Sequence, residues 1–315
     1  MAHTDAHTNT DTIHPELMLR INEKRALLLT LPRLSKDALE KLDGEMKVLH
    51  TFHSNAMGRN SLTFIDTQSI VTEDEIIRGR PRSDQADAVN TAKAYELMDR
   101  LAKEGAKISN TIIQGIHEVV IAANPGYSGK YRRTNVKVTG PGKDHPPWTE
   151  VLKLMNQLLV TVQKSRLHTI ETAAYLYHGL VDIHPFTEGN GKVARLVTCM
   201  YLMSRDYPPI VMRKETHKRY THFLKSADAG DILPLSDYIA KAVDESLTLA
   251  LAPYGGDDEL MKVEHMAEGG PYSVEYLNHR AEKGLLDAVQ IDFVWYTSIR
   301  AVERYLAVHE SGDGE

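Results

Sequence analysis

Apolar residues recur every three or four positions along most of this chain, which is the spacing of an amphipathic α-helix. The first such segment begins at Pro15 and must end before Pro32, because proline cannot continue a helix. Ser35 can cap a second helix that runs to Phe52. Further helices are predicted over 86–103, 108–122, 149–163, 169–181, 193–203, 214–228 and 235–250. The sequence therefore predicts a mainly α-helical fold.

One internal stretch departs from this spacing. Residues 126–148 are rich in Gly, Pro and Lys, and Val136-Lys137-Val138 alternates apolar and polar residues at period two. Such alternation is typical of a β-strand, so we expect a short exposed hairpin or flap here.

The length of 315 residues favours about two domains. We expect a disordered polar leader at 1–14 and a set of N-terminal helices at 15–107. A central helical core should occupy 108–252. A Gly-, Pro- and Asp-rich linker at 253–262 would lead to a separate small unit at 263–315.

Bulk properties exclude several classes of protein. A net charge of −6 gives no global basic field for nucleic acid, which leaves room only for a local basic patch. The single cysteine, Cys199, allows neither an internal disulfide nor a multi-cysteine metal site, and it lies in an apolar run typical of the core. No signal-like start and no run of about eighteen apolar residues is present, so we expect a cytoplasmic protein with no membrane contact.

The run Gly189-Asn190-Gly191 stands directly before a predicted helix. Free N–H groups of such a turn, together with the positive end of the helix dipole, form an anion site. Lys192 and Arg195 add two cations on one face of the first helical turn. This combination indicates phosphate binding, although a lone Gly-Asn-Gly is most often only a turn.

Two titratable residues precede the glycines. Glu188 would be repelled by a phosphate unless a cation such as Mg²⁺ lies between them. His184 can accept a proton from an attacking hydroxyl. A helical metal pair of His184 and Glu188 is disfavoured, because Pro185 interrupts the helix, and Phe186 should be a core anchor for the loop.

The segment 184–195 resembles the signature of the Fic family, His-Pro-Phe-x-(Asp/Glu)-Gly-Asn-Gly-Arg-x-x-Arg. The resemblance extends over about residues 110–250, the length of a typical domain. It is also carried by Gly129-Lys130-Tyr131-Arg132 and Val136-Lys137-Val138, by Ala173-Ala174 and His178, and by Tyr220 and Ala229-Gly230-Asp231.

This resemblance implies a Fic-type helical core with a β-hairpin flap, and an enzyme that moves AMP from ATP to a Ser, Thr or Tyr hydroxyl of a protein target. It implies that His184 is the general base and that Glu188 holds Mg²⁺ or Mn²⁺. Gly189, Asn190 and Gly191 would bind the phosphates of ATP, and a homo-oligomer is compatible with this interpretation.

Other residues take roles by the same resemblance. Arg195 would meet the γ-phosphate, and Lys192 replaces the usual arginine, which alters the grip on phosphate or the choice of donor. Tyr220 and Asp228 would line the nucleoside pocket, or they are a packed aromatic and a solvated carboxylate. Val136, Lys137, Val138 and Thr139 would pair with the target as an added strand, or they form an ordinary surface hairpin.

Many Fic proteins carry an inhibitory helix, (Ser/Thr)-x-x-x-Glu-(Gly/Asn), whose glutamate pairs with the last arginine of the signature. Residues 54–63 resemble it: Ser54 matches, whereas Gly58 stands at the glutamate position and Arg59 at the final one. We hypothesise that Gly58 removes the inhibition and leaves Arg195 free for ATP. The alternative is that Gly58 only terminates a helix.

The C-terminal unit predicts a helix–turn–helix over 273–286, a hairpin or wing over 288–297 and a final helix over 299–308. This order resembles small winged DNA-binding modules of the excisionase type. Acidic residues outnumber basic ones here, which disfavours DNA and makes a protein-docking or dimerising role an equal alternative.

Three other functions remain open on the sequence. One is a related transferase with another nucleotide or phosphocholine donor, which Lys192 allows. The second is removal of AMP from targets, which Gly58 disfavours because relatives use the glutamate for it. The third is a DNA-binding regulator that acts through 263–315.

Overall fold

The computed structural model describes residues 13–136, 144–268, 270, 272–291 and 294–309. The helices before the C-terminal unit are α1 Pro15–Thr30, α2 Lys36–Ala56, α3 Phe64–Glu73, α4 Arg82–Lys103, α5 Asn110–Val120, α6 Val151–Lys164, α7 Thr169–Ile183, α8 Asn190–Met203, α9 His217–Asp228 and α10 Leu233–Leu251.

The C-terminal unit follows with β1 Met261–Lys262, α11 Val263–Ala267, α12 Val274–Glu282, β2 Ala288–Ile291, β3 Val294–Thr297 and α13 Ile299–His309. The strands form an antiparallel sheet in the order β1-β3-β2, in which Val289 lies opposite Tyr296 and Met261 opposite Thr297. The predicted hairpin and final helix are present as the antiparallel strands β2 and β3 and the helix α13, whereas the span 273–286 contains the single helix α12, and α11 is not predicted by the sequence. The assignment of the unit to the winged DNA-binding class remains a prediction.

The predicted mainly helical fold is confirmed, and its boundaries have local causes. Ser35 caps α2 by accepting a hydrogen bond from the N–H of Ala38 at 3.2 Å. Ser109 caps α5 in the same way through the N–H of Ile112. Each cap satisfies a backbone donor that a helix start otherwise leaves unpaired.

Among the helices before the C-terminal unit, α3 is absent from the sequence prediction. Its start is a capping box: the Thr63 side chain accepts from the N–H of Asp66, and the Asp66 carboxylate accepts from the N–H of Thr63. The spacing Thr-x-x-Asp is itself a helix-start pattern. The signal was therefore present, although the helix that follows it is only ten residues long.

The centre of the core is α8, which is buried along almost its whole length between α7, α4, α5 and α2. A helix that is apolar on all sides belongs in the interior. Cys199 is fully buried on α8, as expected, and its thiol donates to the carbonyl of Ile210. Because α7 and α8 are packed against each other, the short connection between them is held at the surface of the core.

The predicted flap is only partly described. Lys137, Val138 and Thr139 lie outside the described residues. Val136 and its described neighbours from 126 onward form turns and extended chain without strand pairing, and the described strands all lie between 261 and 297.

The C-terminal unit has a small core of its own but is not separate from the main body. Its cluster contains Val263, Leu277, Leu286 and Tyr305, whereas Val289 belongs to the main core. The predicted linker at 253–262 also ends in β1, which pairs with β3.

A buried ionic cluster fastens the C-terminal unit to α1 and α10. The Lys24 ammonium lies 2.8 Å from the Asp244 carboxylate and 2.6 Å from that of Asp287, and it donates to the hydroxyl of Thr248. Arg304 of α13 also reaches Asp287, at 3.1 Å. Searching the described residues finds no helix that combines the length and hydropathy needed to span a membrane.

Candidate active site

The connection between α7 and α8 places the signature residues at one end of the core. Gly189 immediately precedes α8 with φ of 75°, a left-handed conformation that glycine adopts at no steric cost. A Cβ there would also lie 2.9 Å from the Ile121 side chain. No side chain caps α8, and its first backbone bond runs from Val193 N–H to the Gly189 carbonyl. The N–H groups of Asn190, Gly191 and Lys192 therefore have no hydrogen-bond acceptor within the helix.

Asn190 holds the loop closed. Its side-chain oxygen accepts from the N–H of Phe186, and its amide donates to the Phe186 carbonyl, both at 2.9 Å. Because both ends of this buried amide are occupied, a contact to phosphate would come from the main chain of Asn190 and not from its side chain.

Phe186 is fully buried, as expected for a loop anchor, and its ring lies parallel to that of His117 at a centroid distance of 3.7 Å. The N–H of Gly129 donates to Nδ1 of His117 at 2.9 Å, and this fixes the proton on Nε2. Nε2 then donates to the carbonyl of Glu188 at 3.2 Å. His117 thus joins α5, the chain before the flap and the signature loop through one side chain.

Glu188 is exposed, and its carboxylate is oriented by neighbours. The amide of Asn124 donates to Oε1 at 2.9 Å, and a hydrogen bond to the same carboxylate raises the pKa of Tyr127. No cluster of three or more acidic, His or Cys ligands occurs in the described part of the chain. A single oriented carboxylate suits Mg²⁺, which takes one or two protein oxygens and completes its shell with phosphates and water.

His184 terminates α7 in a left-handed conformation, φ 50°, and its ring is half-buried. Nδ1 faces the carbonyl of Val181 at 3.3 Å, so it carries the proton and leaves the lone pair of Nε2 available. Burial lowers the pKa of His184 to about 4, with His145 and Arg132 adding to the effect. The imidazole is therefore neutral at pH 7, as a general base must be.

Arg132 holds the signature loop from the flap side. Its guanidinium is buried and donates to the carbonyls of His184 at 2.8 Å and Thr134 at 3.1 Å, and to that of Pro146. Its own N–H donates to the Pro185 carbonyl at 2.9 Å. These contacts position the backbone of His184.

The two signature cations point toward α2 and α4. Arg195 is buried and donates to the hydroxyl and carbonyl of Ser54 at 2.9 and 2.8 Å. Lys192 forms an ion pair with Asp87 at 2.9 Å. Ser54 of the inhibitory-motif segment therefore contacts the signature arginine in this chain.

Gly58 and Arg59, which follow α2, differ in backbone conformation. Gly58 is not in the left-handed region, and its N–H donates to the Asn55 carbonyl at 2.8 Å. The left-handed residue is Arg59, with φ of 68°. The conformation that favours glycine thus occurs at position 59, so a helix-ending role gives no reason for the glycine at position 58.

Tyr220 and Asp228 both have partners within the protein. The Tyr220 hydroxyl accepts from that of Tyr177 at 2.8 Å, and Asp228 pairs with Nε2 of His178 at 2.9 Å. Asp228 is therefore not simply a solvated carboxylate. Both contacts connect α7 to α9, and their part in a nucleoside pocket stays a prediction.

Sequence reasoning missed residues that support the site. His117 occupies the buried face of the strongly amphipathic α5. A polar residue on an otherwise apolar face is the sequence pattern that could have indicated its role. Asn124 follows the predicted helix 108–122 and indicates only a helix end, and Arg132 enters the prediction only as part of the motif Gly129-Lys130-Tyr131-Arg132. The ring of His145 lies against that of His184, and no pattern in the sequence around His145 indicates this contact.

Comparison with known proteins agrees with this geometry. Residues 107–202 match the profile of the Fic/DOC family. The protein adenylyltransferase Fic of Nematostella vectensis is 32% identical over 244 residues, which cover 75% of this chain and 56% of that protein. That of Drosophila grimshawi is 29% identical over 76% of this chain. The chain spans about half the length of the curated relatives it matches.

A solved structure shares the architecture as well. Fic-1 from C. elegans superposes with a TM-score of 0.67 at 26% identity, over 75% of this chain and 71% of that one. Residues 107–202 of this chain therefore form a Fic domain of the Fic/DOC family, as the signature at 184–195 predicts.

Proposed function

We propose that this protein is a protein adenylyltransferase, which transfers AMP from ATP to a hydroxyl side chain of a target protein or of itself. One observation carries the proposal: a short loop brings a neutral imidazole, an oriented carboxylate and an uncapped helix start together. The names of the relatives, protein adenylyltransferase Fic, support the same reaction.

The uncapped start of α8 is the proposed phosphate cradle. The N–H groups of Asn190, Gly191 and Lys192 would bind the phosphate oxygens of ATP, and the helix dipole favours their negative charge. Arg195 would reach the γ-phosphate. Its two bonds to Ser54 use uncharged acceptors, and no carboxylate of the described residues forms an ion pair with it.

Glu188 would hold Mg²⁺ or Mn²⁺ between its carboxylate and the phosphates. The bound ion would neutralise phosphate charge and so favour departure of pyrophosphate. Asn124 orients the carboxylate for this contact.

His184 would move the proton. Its Nε2 accepts the proton of the target hydroxyl while the hydroxyl oxygen forms a bond to the α-phosphorus of ATP. The bond from the α-phosphorus to the bridging oxygen breaks, and pyrophosphate leaves with that electron pair. Val136, Lys137, Val138 and Thr139 would present the target by pairing with it as an added strand.

The test is incubation with ATP labelled at the α-phosphate, Mg²⁺ and a cell lysate, followed by detection of labelled protein. Wild type should transfer label, and His184→Ala should reduce transfer by at least about 100-fold, the scale of general base catalysis. Label at the γ-phosphate should stay in pyrophosphate. Transfer of γ-label instead would indicate a kinase, and no transfer of either label would refute the proposal.

We also propose that the chain lacks the inhibition that a glutamate at position 58 would impose. Position 58 lies one helical turn beyond Ser54, and Ser54 contacts Arg195. A longer acidic side chain there would compete with the γ-phosphate for the guanidinium. A side chain at position 58 would require a local shift of a few tenths of an ångström, because a Cβ at Gly58 would lie 3.2 Å from the Asn55 carbonyl.

Gly58→Glu should therefore suppress AMP transfer, whereas Gly58→Gln, of equal length and no charge, should retain most of it. The rates of self-modification of the three proteins are compared at limiting and saturating ATP. Equal rates for the Glu and Gln variants would show that the negative charge at position 58 does not cause the inhibition.

A further inference from the structure

The rings of His145 and His184 form a stacked pair beside the signature loop. Their centroids are 4.1 Å apart and their planes differ by 18°. His145 lies just before the short turn that leads into α6, whereas His184 ends α7. Two elements distant in sequence thus present parallel imidazoles to each other.

Both rings are bonded to consecutive carbonyls in the last turn of α7. Nδ1 of His184 faces the Val181 carbonyl at 3.3 Å, and Nδ1 of His145 faces the Asp182 carbonyl at 2.9 Å. A carbonyl only accepts, so each Nδ1 carries a proton and each Nε2 has a free lone pair. The pair therefore shares one tautomer.

The contacts of His184 alone hold its ring weakly. The bond to Val181 is long for an N–H donor, near the limit at which such a bond still contributes. The hydrogen bonds of the Arg132 guanidinium go to backbone carbonyls, including that of His184, and so position the backbone of His184 rather than its ring. The shorter bond of His145 makes it the better-held partner, and its ring covers one face of the His184 imidazole.

We infer that His145 is a positioning residue for His184: by stacking on the imidazole, it keeps Nδ1 on the Val181 carbonyl and Nε2 directed at the target hydroxyl. The inference rests on the proposed function of His184 as the base. Nearness of His145 also opposes protonation of His184, in agreement with the lowered pKa of that residue.

Three substitutions separate the two contacts of His145. His145→Phe keeps a flat ring for stacking and loses the bond to Asp182. His145→Asn keeps a donor for that bond and loses the stacking surface, and His145→Ala loses both. His279→Ala, at an exposed position on α12, is the matched control for loss of a histidine.

The first measurement is steady-state AMP transfer. The Ala and Asn variants should lower kcat by about 10- to 100-fold, the cost of a misplaced catalytic group, with an unchanged KM for ATP. The Phe variant should stay within about threefold of wild type, because stacking is what orients the base. A merely structural role would lower the amount of folded enzyme in all three variants without this order.

The second measurement does not need activity. Long-range nitrogen–proton NMR correlations report which ring nitrogen of His184 carries the proton. Wild type and His145→Phe should show protonated Nδ1, whereas His145→Ala should show a mixture of both tautomers. An unchanged His184 tautomer in the Ala variant, or an unchanged kcat, would overturn the inference.

If wild type transfers no AMP, the proposed function fails, and the NMR result alone decides whether His145 orients His184. A mixture in the Ala variant then supports the orienting contact, and a single tautomer refutes it.

Discussion

Replacing His117 with phenylalanine tests how the signature loop is held. The imidazole accepts from the Gly129 N–H at 2.9 Å, donates to the Glu188 carbonyl at 3.2 Å and stacks on Phe186. Phenylalanine preserves the ring, its volume and the stacking. It removes both hydrogen bonds, so the substitution isolates their contribution.

The magnitude follows from the two backbone groups that lose a partner. Leaving a buried donor or acceptor unsatisfied costs about 1–3 kcal/mol. Gly129 is only half-buried and Glu188 is exposed, so water replaces part of each bond. We therefore expect His117→Phe to lower the free energy of unfolding by about 1–2 kcal/mol in total, toward the lower end of that range for each group.

Chemical denaturation at pH 7 measures the loss, and amide hydrogen exchange locates it. Exchange should accelerate at Gly129 and in the loop before α8, and should stay unchanged in α10. AMP transfer should fall as well, because the backbone beside Glu188 is no longer fixed.

Two further variants divide the effect. His117→Gln can still donate to the Glu188 carbonyl, and His117→Asn can still accept from Gly129, although both lose the ring that stacks on Phe186. Amide exchange at Gly129 should therefore be slower in the Asn variant than in the Gln variant. If His117→Phe unfolds within about 0.5 kcal/mol of wild type, the normal scatter of a neutral surface change, and Gly129 exchanges as before, the proposed supporting role of His117 is wrong.

Three other perturbations have predicted outcomes. Arg59→Gly should raise the free energy of unfolding by about 1 kcal/mol, because φ of 68° strains any residue with a Cβ; a higher denaturation midpoint at an unchanged m value would confirm it. Lys24→Met should cost about 3 kcal/mol, the lower end of the range for breaking a buried ion pair, because Asp287 then keeps only Arg304 and Asp244 only Arg20; loss of less than about 1 kcal/mol in a thermal or chemical melt would contradict this. His50→Phe should reduce acid sensitivity. Burial lowers the pKa of His50 to about 4, so its contribution to stability is full above pH 6.5 and is lost as the pH falls through 4; a denaturation series from pH 7 to 4 should be flatter for the variant.

Much of the fold was readable from the sequence because helices depend on local spacing. Pro32 and Ser35 set the boundary between α1 and α2, as both residue types predict. No sequence signal marks β1 at the end of the predicted linker 253–262, since its pairing with β3 involves residues more than thirty positions apart, and a two-residue strand has no periodicity of its own.

The signature segment was equally readable, for a related reason. Its glycines, carboxylate, imidazole and cations are contiguous, so their chemistry can be inferred without knowledge of the fold. Gly58 stands out in the sequence because it occupies the glutamate position of the inhibitory motif. That Arg59, and not Gly58, adopts the left-handed backbone became clear only from the structure.

The sequence by itself thus determined most of the helices, the family resemblance and the residues that would perform the chemistry. Only the tertiary structure decided how those residues are held. His117 lies 71 positions from the carbonyl it binds, and Ser54 lies 141 positions from Arg195. Contacts at such separations arise from the packing of whole helices, and neither residue type nor local spacing encodes which side chains will meet.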